Sequence, residues 1–282
     1  MNFITASHLR TPHFLPRVAF RSGLGIAGLA ALLLVSAPAL AATAPALLTN
    51  STYGVVSSTW NDNTSAITGA GCTTNDSSTA ATVTVGVAAP NPLVPCPAQN
   101  GLDQGTALAT LNGQACTSLG AGAVALDTIN LGSGAGVFTP GCYSSGGAMS
   151  IDATVNLNGA GVYVFRSGGT LTSSNNTNVT VTGGACEADV FWAPGGATTL
   201  TGTSFVGNIL SDNAITVAAG GTVSGRLLGY LGVLTTSGNT ITKPSCTTVY
   251  PASIPTLSEW AMIIFALLLV GLGLQMQRRR QA

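Results

Sequence analysis

Charge is what this chain has least of: Asp, Glu, Lys and Arg together make up 6% of its 282 residues. Between residues 42 and 258 the only cations are Arg166, Arg226 and Lys243, against Asp62, Asp76, Asp103, Asp127, Asp152, Glu187, Asp189 and Asp212. No basic patch exists to neutralise phosphates, which excludes a nucleic-acid partner. Histidine is missing from the same stretch, since His8 and His13 both precede it. That removes the commonest general acid/base and the commonest metal ligand. No CxxC pair is present either, so the cysteines carry no zinc pattern. Glu187 and Asp189 stand two apart with no basic partner nearby, whereas a β-helix polysaccharide lyase needs clustered carboxylates and a positioned base. The reading is therefore of a protein that is not an enzyme and uses no cofactor and no metal.

The ends of the chain carry addresses. Arg10, Arg17 and Arg21 precede an apolar run from Leu24 to Val35 and the small-residue stretch Ser36-Ala37-Pro38-Ala39-Leu40-Ala41. That order predicts a secretory signal over residues 1–41. Trp260 to Leu274 contains no charge and is followed by Arg278-Arg279-Arg280. At about 1.5 Å per residue it spans roughly 22 Å, short of the ~30 Å hydrocarbon core unless residues 275–277 are drawn in. We expect a membrane helix over 260–276 with its arginines cytoplasmic. Export permits disulfides, and Cys72, Cys96, Cys116, Cys142, Cys186 and Cys246 all follow the signal. Many pairings of six cysteines exist and sequence does not choose among them. Sequential pairing, 72 with 96, 116 with 142 and 186 with 246, is the expectation taken.

The body repeats. Ala197, Thr199, Gly202, Ser204, Phe205 and Gly207 recur 18 positions on as Ile215, Val217, Gly220, Thr222, Val223 and Gly225, and again as Val233, Thr235, Gly238, Thr240, Ile241 and Lys243. A Thr/Ser/Val/Gly unit this short, without helix signals, reads as one turn of a β-solenoid with turns about 4.7–4.9 Å apart. Phe205, Val223 and Ile241 then stack inside, Gly202, Gly220 and Gly238 take positive-φ corners, and Thr198, Thr216 and Thr236 face out, with Leu234 interrupting their column. Leu102, Ala107, Leu108, Leu111 and Ala115 share one helical face, which predicts a helix over about 101–116. Residues 42–50 read as a short leader. Pro90, Pro92, Pro95 and Pro97 argue against regular structure there. Trp60 and Trp192 are candidates for stacking on sugars, Trp192 within a core-like run, and Arg166 and Arg226 read as turn or edge residues.

Two resemblances follow. Ile254-Pro255-Thr256-Leu257-Ser258-Glu259-Trp260, an apolar segment and terminal arginines resemble the IPTL-type sorting signal of Gram-negative bacteria. The likeness implies linker 247–253, sorting segment 254–282, an inner-membrane-anchored intermediate, a sorting protease of the exosortase type, and a final place at the cell surface or outside it. Gly136-Val137-Phe138-Thr139-Pro140-Gly141-Cys142-Tyr143, Gly161-Val162-Tyr163-Val164-Phe165-Arg166, Ala185-Cys186 with Asp189-Val190-Phe191-Trp192, and Gly202 to Ile209 resemble the ice-binding-like family (DUF3494), as do Tyr53 to Thr59 and Ala107 to Asn112. That resemblance implies an all-β, right-handed, discontinuous β-solenoid of roughly triangular section over 42–246, with one α-helix alongside. It implies ice as ligand, held on a flat Thr/Ser-rich face. The candidates for that face are Thr201, Thr203, Ser204, Thr222, Ser237, Asn239, Thr240, Thr177 and Asn178. Of the three corners only Thr201-Gly202-Thr203-Ser204 comes close to the family's Thr-Ala/Gly-x-Thr/Asn pattern, with Ser204 at its last place, and those at Ala219 to Thr222 and Ser237 to Thr240 depart from it. A surface adhesin or matrix protein holding glycans or neighbouring cells is the alternative.

Overall fold

The computed structural model describes residues 41–75, 84–85, 94–202, 204–246 and 267–268. In chain order it contains β1 (Tyr53–Asn63), β2 (Ala66–Thr68), β3 (Ala70–Thr73), β4 (Thr84–Val85), β5 (Val94–Pro95) and α1 (Ala98–Asn112). Successive turns then follow: β6 (Thr117–Gly120), β7 (Val124–Ala125) and β8 (Val137–Phe138); β9 (Gly141–Ser145), β10 (Met149–Ile151) and β11 (Thr154–Asn158); β12 (Tyr163–Ser167), β13 (Leu171–Ser173) and β14 (Asn178–Thr182). The last turns are β15 (Val190–Pro194), β16 (Thr198–Leu200) and β17 (Ser204–Val206); β18 (Asn208–Leu210), β19 (Ile215–Val217) and β20 (Thr222–Ser224); and β21 (Leu227–Ser237) with β22 (Thr240–Thr242).

Every pairing between these strands is parallel, an isolated antiparallel bridge between Asn130 and Ala135 lying outside them, and each full turn gives one strand to each of three ladders, so the solenoid has three sides. Its turns do not stack in chain order. β1 pairs with β21, β2 with β22, and β3 and β5 continue beyond β1, so the N-terminal turns sit on top of the C-terminal one. Helix α1 then runs back along the first ladder, against β21, β15 and β12, to the start of β6.

Strands alternate inward and outward residues, and the inward ones build the stack. On the first ladder Tyr143, Phe165, Trp192, Ile209, Leu227 and Val55 form one column across the junction between β21 and β1. Phe165 and Trp192 stack with ring centroids 4.3 Å apart. On the third ladder Phe205, Val223, Ile241 and Ile67 pair in register and are all buried. Burial of each contributes roughly 1.5–3 kcal/mol.

Several sequence expectations change. The 18-residue period holds on the third ladder, but on the second Thr198 pairs with Ile215 and Ile215 with Leu234, because the turns around β19 differ in length. A slip of one residue exchanges inside and outside. Thr198 and Thr236 are therefore buried and Leu234 is core. Gly220 and Gly238 have φ of 78° and 57° as expected of corners. Gly202 does not; a Cβ there would lie 2.6 Å from that of Thr177.

Trp60 and Trp192 are buried, with Nε1 donating to Thr236 Oγ1 and the Val206 carbonyl, so neither is open to a sugar. Arg226 is buried as well. Its guanidinium donates to Asn208 Oδ1 and the Ser51 carbonyl, and burial holds its pKa below the usual value. Pro95 lies in β5, paired with Thr73.

The helix is Ala98–Asn112, ending before Ala115, and Leu102 on the expected core face is 66% exposed. Polar residues are buried in its place, because the segment ahead of β1 packs on the helix rather than forming a free leader. Asn100 and Asn50 exchange hydrogen bonds, and Asp103 accepts from Thr49 N, Thr49 Oγ1 and Gln99 Nε2. The Thr49 hydroxyl, then Gln99, holds the Asp103 carboxyl below its ordinary value of 3.8.

Two predictions follow from this packing. Trp192→Ala should lower the unfolding free energy in urea by about 3–5 kcal/mol. Asp103 gives stability that is complete above the ordinary carboxylate range and lost as pH falls through its lowered folded-state pKa. Asp103→Asn should flatten that acid limb in a thermal-melt series against pH, leaving the alkaline limb unchanged.

Candidate functional site

The first side of the solenoid is closed, since Ala107 and Leu111 of α1 cover Val164, Phe191, Leu210 and Leu228. Two sides remain open. On the second, the central outward positions of successive strands are Ser150, Thr172, Thr199, Thr216, Thr235 and Asn61, each in register with the next. Thr199 and Thr235 are exposed, and Thr172 and Thr216 half-buried. Among the described residues these four threonines make no side-chain hydrogen bond. Beside them runs a column of Ala148, Thr170, Ala197, Ala214, Val233 and Thr59, partly or fully exposed. The surface is thus a grid of methyl and hydroxyl groups, about 4.8 Å between strands and about 6.7 Å along them. Among the described residues its ionic side chains are Asp152 at one end and, at the other, the half-buried Asp62 next to Asn61.

The third side carries Thr154, Asn178, Ser204, Thr222, Thr240 and Ala66 in one column, with Asn156 and Thr180, and then Ser224, Thr242 and Thr68, beside it. Its polar groups are partly spent within the protein. Thr182 donates to Asn156 Oδ1, Thr180 to the Val155 carbonyl, and Thr68 Oγ1 accepts from the Lys243 backbone.

Of the nine face residues predicted from sequence, Asn178, Ser204, Thr222 and Thr240 fall together in that third-side column. Thr201 and Ser237 are half-buried at the corner between second and third sides, and Thr203 lies outside the described residues. Thr177 and Asn239 are buried inside that corner. Thr177 donates to the Ile151 carbonyl at 2.6 Å, and Asn239 Nδ2 donates to the carbonyls of Ala218 and Gly221. Both hold the chain's own backbone and offer nothing to a ligand. Thr216 aside, sequence reasoning passed over the central second-side column. The loops between its strands differ in length, so no fixed period reveals it; the usable signal is a threonine between two inward residues in Leu171-Thr172-Ser173, Thr198-Thr199-Leu200, Ile215-Thr216-Val217 and Leu234-Thr235-Thr236.

The disulfides are Cys72–Cys96, Cys116–Cys142 and Cys186–Cys246. The motif Ile254 to Trp260 lies outside the described residues. Leu267 and Leu268 are helical and exposed, and among the described residues no helix is long and apolar enough to cross a membrane.

A three-sided parallel stack with a returning helix is matched by known proteins. The ice-binding-like family model covers residues 44–242. The chain belongs to the ice-binding-like family. A model of the IPTL-CTERM motif matches residues 252–280. The ice-binding protein of Flavobacterium frigoris (strain PS1) is 35% identical over 130 residues, 44% of this chain and 47% of the relative. That of a Colwellia species is 40% identical over 131 residues, 44% and 51% of the two chains. The chain thus spans about half the length of these relatives. Among solved structures, an ice-binding protein from an Antarctic Flavobacteriaceae bacterium superposes with a TM-score of 0.59 at 25% identity, over 76% of this chain and 50% of that one. The ice-binding-like domain of a Shewanella frigidimarina ice-binding protein superposes with the same TM-score at 21% identity, over 73% and 100%, a likeness of fold.

The two kinds of threonine separate by mutation. Thr216→Val should change stability by no more than about 0.5 kcal/mol. Thr177→Val, which removes the hydroxyl's bond to the Ile151 carbonyl and leaves that from the Ser174 N–H, should cost about 0.5–1.5 kcal/mol in the same urea titration.

Proposed function

We propose that this protein binds ice, and that the second side of its solenoid is the binding face. The observation that carries the reading is the central column of Thr172, Thr199, Thr216 and Thr235, whose hydroxyls have no hydrogen-bond partner among the described residues and stand beside the methyl groups of Ala197, Ala214 and Val233. Hydroxyls on a fixed grid anchor water molecules, while neighbouring methyls restrict where further water can sit. Because strand pairing holds the grid in place, little conformational entropy is lost when it meets a crystal surface. Low charge suits a lattice that has no place for counter-ions. The third side is the weaker candidate, since Thr182 is spent on Asn156, and Thr180 and Thr68 on backbone groups. The names of the relatives support ice as the ligand, and nothing in this reading asks for chemistry to be performed.

The ends supply the address. We infer a signal over residues 1–41, the ice-binding body over 42–246, a linker over 247–253, and the IPTL-type segment over 254–282 with an apolar helix at 260–276. On that reading the chain passes through an inner-membrane intermediate of a Gram-negative cell, is handled by a sorting protease of the exosortase type, and ends at the cell surface or outside it.

The test is ice-affinity partition together with inhibition of ice recrystallisation by the purified protein. Wild type should concentrate in the ice fraction. Thr216→Tyr, which puts a ring in the middle of the grid, should reduce recrystallisation inhibition on the order of tenfold, as expected of a residue central to an interface. Thr222→Tyr on the third side should leave it unchanged. Loss of activity with Thr222→Tyr alone would move the site to the third side, and exclusion of wild type from ice would end the reading.

A further inference from the structure

Strand β22 carries the end of the folded body, and it lies at the one junction where turns distant in sequence meet. It pairs with β20 on one side and with β2 on the other, while β21 pairs with β1. Only three residues hold it, Thr240–Thr242, with Ile241 buried between Val223 and Ile67. A pull on the C-terminus alone would peel this short strand, uncover Val223 and Ile67, and leave the N-terminal turns held to the stack only through β1 and β21.

The chain leaving β22 is covalently fixed elsewhere. Residues 243–246 run from β22 to Cys246, which is bonded to Cys186. Cys186 lies between β14 on the third side and β15 on the first, so the bond sits on the edge shared by those sides. In a three-sided stack that edge is opposite the second side. We propose that the Cys186–Cys246 bond is a mechanical clamp for a C-terminal tether: it delivers load to the middle of the solenoid, bypasses the β22 junction, and sets the second side facing away from the point of attachment. This rests on the reading that the chain is held at the cell surface through its C-terminal segment. A cell holding ice through this protein then strains turns that are paired on both faces and joined by the ring column of Tyr143, Phe165 and Trp192. A strand on its own contributes little resistance, whereas several turns sheared together must break as a unit.

Each of the three bonds has one buried cysteine, Cys72, Cys142 or Cys186, and they differ in the outer partner: Cys246 is exposed, whereas Cys96 and Cys116 are half-buried. Mild reductant should therefore open Cys186–Cys246 first.

An optical-trap measurement on the full chain in detergent tests the proposal, with one handle after Ala282 and the other inserted at Ser133 in the exposed loop after β7. Wild type should first yield at a force that the Cys186→Ser/Cys246→Ser variant does not reach. The variant should yield at on the order of half that force, as the unpinning of a single short strand implies, and the length released first should be that of β21 and β22. Wild type pulled before and after mild reduction, with loss of only this bond verified by mass spectrometry, gives the same comparison without a mutation. Equal first-yield forces in either comparison, or first release from the turns between β9 and β14 in both states, would overturn the clamp. The comparison needs no membrane, protease or ice, so a failure of surface retention or of ice binding is read separately.

Discussion

Parallel register, fixed from inside, is the constraint on which the rest of this structure depends. Each turn is only as well placed as the inward residues that meet those of the turn beneath, and an error of one position would exchange core for surface along a whole side. The column running from Tyr143 through Phe165, Trp192, Ile209 and Leu227 to Val55 crosses the junction between β21 and β1 without a break in the alternation of inward and outward residues. Two segments far apart in sequence thereby become consecutive turns. The regular exterior follows from the regular interior, since outward residues are carried in the same register.

Where a turn lacks a neighbour or a second strand to hold it, covalent bonds stand in. Cys72–Cys96 joins β3 to the segment after β5, Cys116–Cys142 joins the chain ahead of β6 to β9, and Cys186–Cys246 fixes the tail. Cross-links of this kind act largely by restricting the unfolded chain, and they suit a solenoid whose ends cannot bury as much apolar surface as its middle. Buried polar pairs do similar work beside the helix. Asn50 with Asn100, and Thr49 with Asp103, seat the N-terminal segment against a helix that has few large apolar residues to offer.

Much of this was legible in the sequence. The recurrence of Phe205, Val223 and Ile241 located the third-side column, because the loops between those strands are equal in length. The same arithmetic misplaced Thr198 and Thr236, because β19 is approached and left through loops of different length, and no count of residues registers that. The helix was found from Ala107 and Leu111 but given the wrong face at Leu102, since an amphipathic pattern cannot announce that Asp103 and Gln104 will find polar partners on another segment. Arg226 looked like an edge residue for the same reason. Its partners Asn208 and Ser51 are remote in the chain and adjacent only after the turns have stacked out of order. Corner residues misled most: Thr177 and Asn239 have the chemistry of a ligand face, yet their short polar side chains turn inward and give a second hydrogen bond to backbone carbonyls of the corner.

The central claim is that the second-side threonines form a stiff lattice before any ligand arrives. Side-chain methyl relaxation measured by NMR on the free protein near 0 °C tests it directly. The account predicts that Thr172, Thr199, Thr216 and Thr235 each hold one rotamer, with methyl order close to that of the buried Val179. Averaging over rotamers at these four positions, to the degree measured for the exposed Leu102 on the helix surface, would contradict it.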